Sequence, residues 1–235
     1  MVTRSERRGP RRGARAPGLA RWRLAASVLA VLTFGNAGAA GAVPYRIDQE
    51  RSELVVRVFK AGAASVLAHD HVVRAAVWQG TLDVNRDPVA LAAEIRVDAQ
   101  ALEVDEPEVR ARYGLDGTLS ADDRSKVRAT MLAADQLDAA NHPEIRFRVA
   151  EIDRAGADFR LGGELTLRGK SRRIALPLAV SEQGEQLTAR GTVRFRQSDF
   201  GIEPHSAFFG TVRTQDEVEL VVTIVATPDA APARR

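Results

Sequence analysis

The chain has 235 residues, 45% hydrophobic and 28% charged, proportions ordinary for a globular protein. It contains no cysteine, which excludes disulfides, thiolate metal sites, cysteine nucleophiles and a lipidated cysteine anchor. Its net charge of +3 is carried by residues 1–42, where eight arginines stand against Glu6 alone. The remaining chain is net acidic, so no basic face for nucleic acid is expected.

Residues 1–42 read as a secretory signal peptide. A basic stretch ends at Arg23, an apolar run follows from Leu24 to Phe34, and small residues fill Gly35 to Ala42. Ala37-Gly38-Ala39 or Ala40-Gly41-Ala42 would serve as the cleavage site. The apolar run is too short to cross the roughly 30 Å hydrocarbon core of a bilayer as a helix. Neither Arg7-Arg8 nor Arg11-Arg12 is followed by the apolar residues of a twin-arginine signal, which favours the general secretory route. The mature chain is expected in the periplasm or secreted, soluble, with no membrane span.

From Val43 onward the main pattern is alternation with a period of two. Leu54, Val56 and Val58 share one face, and Ile145, Phe147 and Val149 share another. Phe159, Leu161, Leu165 and Leu167 continue the series, then Ile174, Leu176, Leu178 and Val180, with Pro177 marking an edge or bulge. Leu187, Ala189, Val193 and Phe195, and finally Val218, Leu220, Val222 and Ile224, complete it. One apolar and one polar face per stretch predicts half-buried antiparallel strands. Ala155-Gly156-Ala157, Arg168-Gly169-Lys170-Ser171 and Glu182-Gln183-Gly184-Glu185 read as hairpin turns. Many short strands with few helical patterns predict a sandwich or barrel, and a barrel removes exposed edges.

Residues 103–124 are acidic and irregular, and Ser125 to Leu137 is expected to be helical, ending before Asn141-His142-Pro143. This insertion could close one barrel end. A disordered tail is expected over residues 227–235. Asp199-Phe200-Gly201-Ile202 suggests a tight corner, where Phe200, Phe208 and Phe209 would pack as a plug at one rim.

The G-x-S-x-G elbow is absent. Gly169-Lys170-Ser171 lacks the upstream glycine of a phosphate-binding loop and sits in a hairpin. No nucleophile–base pair is visible, so an enzyme ranks last. His69 and His71 would project from one strand face about 7 Å apart. Most simply they supply hydrogen bonds near a barrel mouth, or lie on a solvated loop. They could also contact a ligand headgroup, or bind metal with His205 as third ligand and His142 as a poorer candidate.

Several segments together carry a family resemblance. Tyr45-Arg46-Ile47-Asp48 with Ser52 precedes the Leu54/Val56/Val58 alternation. Leu137-Asp138-Ala139-Ala140-Asn141-His142-Pro143-Glu144-Ile145-Arg146-Phe147 follows, then Gly163 to Arg172 (GELTLRGKSR), then Asp199-Phe200-Gly201-Ile202. In this order they resemble a YceI-like domain over residues 44–226. The resemblance implies an all-β fold, an extended eight-stranded antiparallel lipocalin-like barrel with a short helical insertion, over residues 43–226. It also implies a periplasmic protein that binds polyisoprenoid or similar long-chain lipids in its lumen. The chain departs from the family pattern at Lys60, where many members carry histidine, at Arg124-Ser125-Lys126-Val127, and at His69 and His71.

The function expected is therefore a non-enzymatic binding protein for a polyisoprenoid, isoprenoid quinone or similar lipid, with no cofactor beyond that ligand. Leu54, Val56, Val58, Phe147, Leu165, Leu167, Leu176, Leu178 and Phe195 are the candidate lumen residues, with His69, His71 and Phe200 as further ligand contacts. Two other readings stand beside it. One is a metal- or haem-binding protein using His69, His71 and His205; the other is an interaction module in an envelope stress complex. Beyond the lipid, a homodimer is left open as a partner.

Overall fold

The computed structural model describes residues 42–229, apart from residues 87, 88, 116, 208 and 210. The expected signal peptide lies outside the described residues, save Ala42. The strands are β1 (Val43–Ile47), β2 (Glu53–Ala61), β3 (His71–Ala75), β4 (Trp78–Arg86), β5 (Val89–Asp98) and β6 (Leu102–Val104). After helices α1 (Pro107–Arg112) and α2 (Ala121–Leu132) come β7 (Glu144–Ala155), β8 (Asp158–Leu167), β9 (Lys170–Gln183) and β10 (Gln186–Arg196). The two-residue β11 (Ser206–Ala207) and the long β12 (Val212–Pro228) end the described chain.

The first six strands act as three. β1 and β2 both pair with β12, Ile47 opposite Ala226 and Glu53 opposite Thr223. β3 and β4 run along them, Arg74 opposite Val55 and Leu82 opposite Tyr45. β6 and β5 do the same to β3 and β4. Each couple is one long strand interrupted near its middle. Together with β7, β8, β9, β10 and β12 they form a closed eight-stranded antiparallel barrel, as the resemblance implied. The interruptions have local causes. Asp48 accepts the amides of Glu50 and Arg51, both at 3.1 Å, turning the chain out between β1 and β2. Asp98 accepts the Gln100 amide at 2.8 Å, starting the 3₁₀ turn Ala99–Ala101 between β5 and β6.

The hairpins fall where glycine predicts them. β7 and β8 meet at Gly156-Ala157, and β9 and β10 at Gly184-Glu185. At the β8–β9 turn Arg168 and Gly169 have φ of 49° and 67°, the mirror-image turn that suits the strand twist. β12 runs on through Pro228, so Thr227 and Pro228, expected in a disordered tail, instead pair with Arg46 and Tyr45. Arg46 also binds Asp229 at 2.9 Å, which holds this end in the sheet.

The helical insertion differs from expectation. The acidic stretch is not irregular: it contains α1, with Pro107 in its first turn, and the start of α2. Ser120 caps α2 by accepting the Asp123 amide, and Asp122 and Asp123 sit where the helix dipole favours acid. The helix ends at Leu132, and turns carry the chain from there to His142. α2 packs on β6, whose Leu102 carbonyl accepts from Arg128 Nε at 2.8 Å. Of the β5–β6 couple, β7 pairs only with β5, so this helix, not a strand, covers the free edge of β6.

The wall is also incomplete between β9 and β10. Their pairing stops at Leu178 opposite Gly191, beside Pro177, which has no amide hydrogen for a ladder. A side chain on Gly191 would strike the Pro177 carbonyl and Leu178. Beyond this point, the turn Gln197–Phe200 packs against both strands. Phe200 is fully buried there, edge-on to Phe195 at 5.5 Å. The expected plug is therefore Phe200 with Ile202, whereas Phe209 is fully exposed and Phe208 lies outside the described residues.

Candidate functional site

The inner faces of the strands enclose a cavity of about 460 Å³. Leu54, Val56, Val58, Phe147, Leu165, Leu167, Leu176, Leu178 and Phe195 all line it. Period-two alternation places them there, because cross-strand partners share a face: Phe147 lies opposite Leu165, Leu161 opposite Leu176, and Val222 opposite Leu54. A bulge between Val149 and Glu151 shifts the parity of β7, so that Ile152 and Arg154 face inward beyond it.

Polar groups reach the cavity mainly at its two ends. Asn85, Arg154 and Glu182 line the end formed by the β4–β5, β7–β8 and β9–β10 hairpins. Arg154 and Glu182 are exposed, so the cavity meets solvent there. Arg154 lies over the ring of Phe159 at 5.2 Å. At the far end Met131, Gln136 and Leu137 from the helical insertion, with Gln197 and Ile202, close the space. Between the ends the lining is almost wholly aliphatic. It can hold an apolar chain, and it offers no nucleophile with a base beside it.

Three residues expected at the site do not line the cavity: His69, His71 and Phe200. Phe200 is packed in the wall. His69 precedes β3 and is exposed, because Asp70 accepts the Lys60 amide at 2.7 Å and holds this stretch as a loop. His71 opens β3 opposite Val58, but its Nδ1 lies 2.5 Å from Asp105. His205 is exposed beside β11, and His142 lies 3.8 Å from Asp138. Among the described residues no three histidine or carboxylate side chains are gathered to hold a metal ion.

The buried cluster around Asp105 escaped sequence reasoning. Its carboxylate is fully buried and takes three partners: His71, the Val72 amide at 3.1 Å and Arg110 at 2.8 Å. Arg110 is itself buried and also donates to the carbonyls of Asp70 and Gly117. The group pins α1 and the loop before β3 to the outside of the barrel, over Val55, Val72 and Val109. The signal available in sequence was slight: an aspartate at the start of an acidic run, here with φ of 52°.

Burial pushes the Asp105 carboxyl up, but His71, the Val72 amide and Arg110 outweigh it and hold it below the usual carboxylate range. Arg74 likewise holds Glu106 down through a two-pronged contact at 2.6 and 2.8 Å. Carboxyls depressed in the folded state stabilise it above their unfolded values, about 3.9 and 4.3, and lose that stability as pH falls through the folded ones. The melting temperature should therefore decline below about pH 4. The gap between wild type and Asp105→Asn should be full at pH 6 and shrink in acid. Thermal melts across pH check this, and a constant gap would show that Asp105 contributes nothing through its charge.

A closed antiparallel barrel of eight strands around one apolar cavity defines the lipocalin-like class. Within that class the sequence is specific: a profile of the YceI-like domain matches residues 45–226, and the chain belongs to the YceI-like family. Two crystal structures illustrate the fold. That of Burkholderia cenocepacia BcnA is similar with a TM-score of 0.58 at 18% identity, covering 77% of this chain and 100% of that one. That of a Campylobacter jejuni YceI protein has a TM-score of 0.51 at 12% identity, covering 67% and 84%. A variant of the Campylobacter protein with a monobromobimane guest gives the same score and coverage. No curated protein matches the chain at a significant level. Among the described residues no helix is long and apolar enough to cross a membrane.

Proposed function

We propose that this protein holds one long-chain apolar ligand, a polyisoprenoid, isoprenoid quinone or similar lipid, along the barrel lumen. The observation that carries the reading is a cavity of about 460 Å³ with an aliphatic interior and its charged groups at the solvent-facing end. That volume lies within the usual range for small-molecule sites, and the polar groups at the mouth suit a headgroup. Burial supplies about 0.8 kcal/mol per methylene, so a chain of about ten gains roughly 8 kcal/mol before the losses of association. The family's binding-barrel fold supports the reading. The basic, apolar and small-residue succession of residues 1–42 supports export, placing the protein in the periplasm or outside the cell.

Native mass spectra of the exported protein, before and after organic extraction, test this. The expected result is a bound species of several hundred daltons that extraction removes. A bare mass, with no uptake of added lipid, would overturn the reading and favour an interaction module with a self-filled lumen.

A further inference from the structure

We propose that helix α2 is a yielding stop at the far end of the lumen, pushed outward by a ligand tail longer than the barrel, an inference that rests on the lumenal reading above. The wall is thinnest there. β7 begins at Glu144 opposite Asp98, and among the described residues no strand lies along the outer edge of β6, which α2 covers instead. Met131 of α2 lines the cavity and is also partly exposed, so only the thickness of a flexible side chain parts lumen from solvent. The groups that close this end from the other side are firmer. Ile202 is buried with Phe200 in the wall, and Gln197 donates to the Gln215 carbonyl at 2.8 Å.

The helix is held lightly. None of its twelve residues is buried, and Val127 and Met131 are the side chains that reach the lumenal cluster. Arg128 donates to the Leu102 carbonyl at 2.8 Å and to that of Gln100. Just beyond the helix, Arg168 donates to the Ala134 carbonyl at 2.7 Å and Gln136 to that of Glu203 at 3.0 Å. These acceptors are backbone carbonyls in exposed or part-buried contacts, which water can satisfy in place of a side chain. Arg124 lies near Glu106, which Arg74 already grips, and its Nε is buried without a hydrogen-bond partner among the described residues. Lifting the helix would relieve that cost.

Both ends of the flap are anchored. The buried Arg110 holds the Gly117 carbonyl at 3.2 Å, and Ala139 is buried with its carbonyl accepting from Gln100 at 3.3 Å. Between the anchors and the helix lie two joints. One is Gly117, with φ of 73° and open space where a side chain would stand; the other is the exposed run Ala133-Ala134-Asp135. Rotation at these joints moves α2 without breaking the barrel ladder.

A tail that enters from the hairpin mouth, leaving its polar end by Asn85, Arg154 and Glu182, reaches Met131 last. Short tails end before it. Longer ones displace Met131 and α2, since the rest of the lining belongs to paired strands or to the buried Phe200–Ile202 corner. The barrel thereby accepts chains longer than its resting cavity.

The test measures, by calorimetry on delipidated protein, the binding of geraniol, farnesol, geranylgeraniol and geranylfarnesol, each one isoprene unit longer than the last. Wild type is compared with a Glu103→Cys/Arg128→Cys variant whose thiols are joined by a reducible bismaleimide, the chain having no cysteine of its own. Bridged and reduced forms should bind geraniol equally, which shows that the bridge leaves the lumen intact. Geranylfarnesol should bind the reduced form at least about tenfold more tightly than the bridged one. In wild type, the α2 amides should exchange hydrogen faster with geranylfarnesol bound than with geraniol. Equal geranylfarnesol affinity in the two forms, or exchange in α2 that ignores tail length, would overturn the yielding stop while leaving the lumen intact. A wild type that binds the two shorter alcohols and rejects the two longer ones would also overturn it, since the stop would then be rigid. No binding of any of the four would overturn the lumenal reading as well.

Discussion

Asp105→Ala should destabilise the fold by about 3–5 kcal/mol, the cost of breaking a buried ion pair from one side. For a domain of this size that lowers the melting temperature by on the order of 10 °C. Asp105 is the only carboxylate bonded to both His71 and Arg110 among the described residues, and it also satisfies the Val72 amide. Its removal would take from Arg110 the buried carboxylate that it holds at 2.8 Å, and from His71 and the Val72 amide their shared acceptor. Asp105→Asn, which keeps the shape and an acceptor, should cost less. Urea denaturation of the three proteins measures this, and a cost under about 1 kcal/mol for alanine would place the cluster among ordinary surface pairs.

Filling the lumen should abolish lipid uptake. Ala189 lies on β10 between Val180 and Ile224, its side chain on the cavity wall. In Ala189→Trp the indole would occupy space that a lipid tail needs. Ala93→Trp, on β5, makes the same change from another part of the wall. Overpacking costs about 1–3 kcal/mol where no space exists, and the cavity here takes up most of the added volume. Both variants should keep the β-sheet spectrum and lose at least tenfold in affinity for added lipid, about 1.4 kcal/mol. Wild-type uptake by both folded variants would show that the ligand does not sit in the lumen.

What was legible in the sequence follows from physical range. The strands from β7 onward alternate cleanly, with bulky aliphatic residues on one face and arginine or glutamate on the other, and their two-residue turns announce themselves through glycine. Pro177 marked the place where pairing fails. β4 and β5 gave a weaker signal, because Gly80 and Ala93 stand on the inner face, where larger side chains would make the pattern visible. At Gly80 the Ile47 and Ile95 side chains already occupy the position a side chain would take. The start of α2 was missed because Asp122 and Asp123 resemble loop residues until Ser120 is recognised as a cap.

Longer-range features stayed hidden for a different reason. His71 and Asp105 are 34 residues apart, and the pairing depends on α1 folding back over β3. Nothing in the His-Asp-His run shows that its second histidine is taken by a distant carboxylate. The resemblance to the family correctly implied eight strands, yet the chain reaches that number only by joining short segments end to end.

That segmentation bears on the depth of the lumen. The breaks at residues 48–52, 76–77 and 99–101 fall at neighbouring positions on three adjacent strands, while β12 passes the first of them without interruption. This side of the barrel is thus assembled as two stacked storeys, with β12 running continuously past both. Residues added to or removed from β2, β3 and β6 would change the depth of one storey and leave the register of β1, β4 and β5 untouched. The depth of the cavity can then be tuned in steps, by altering three short segments without redesigning the whole sheet.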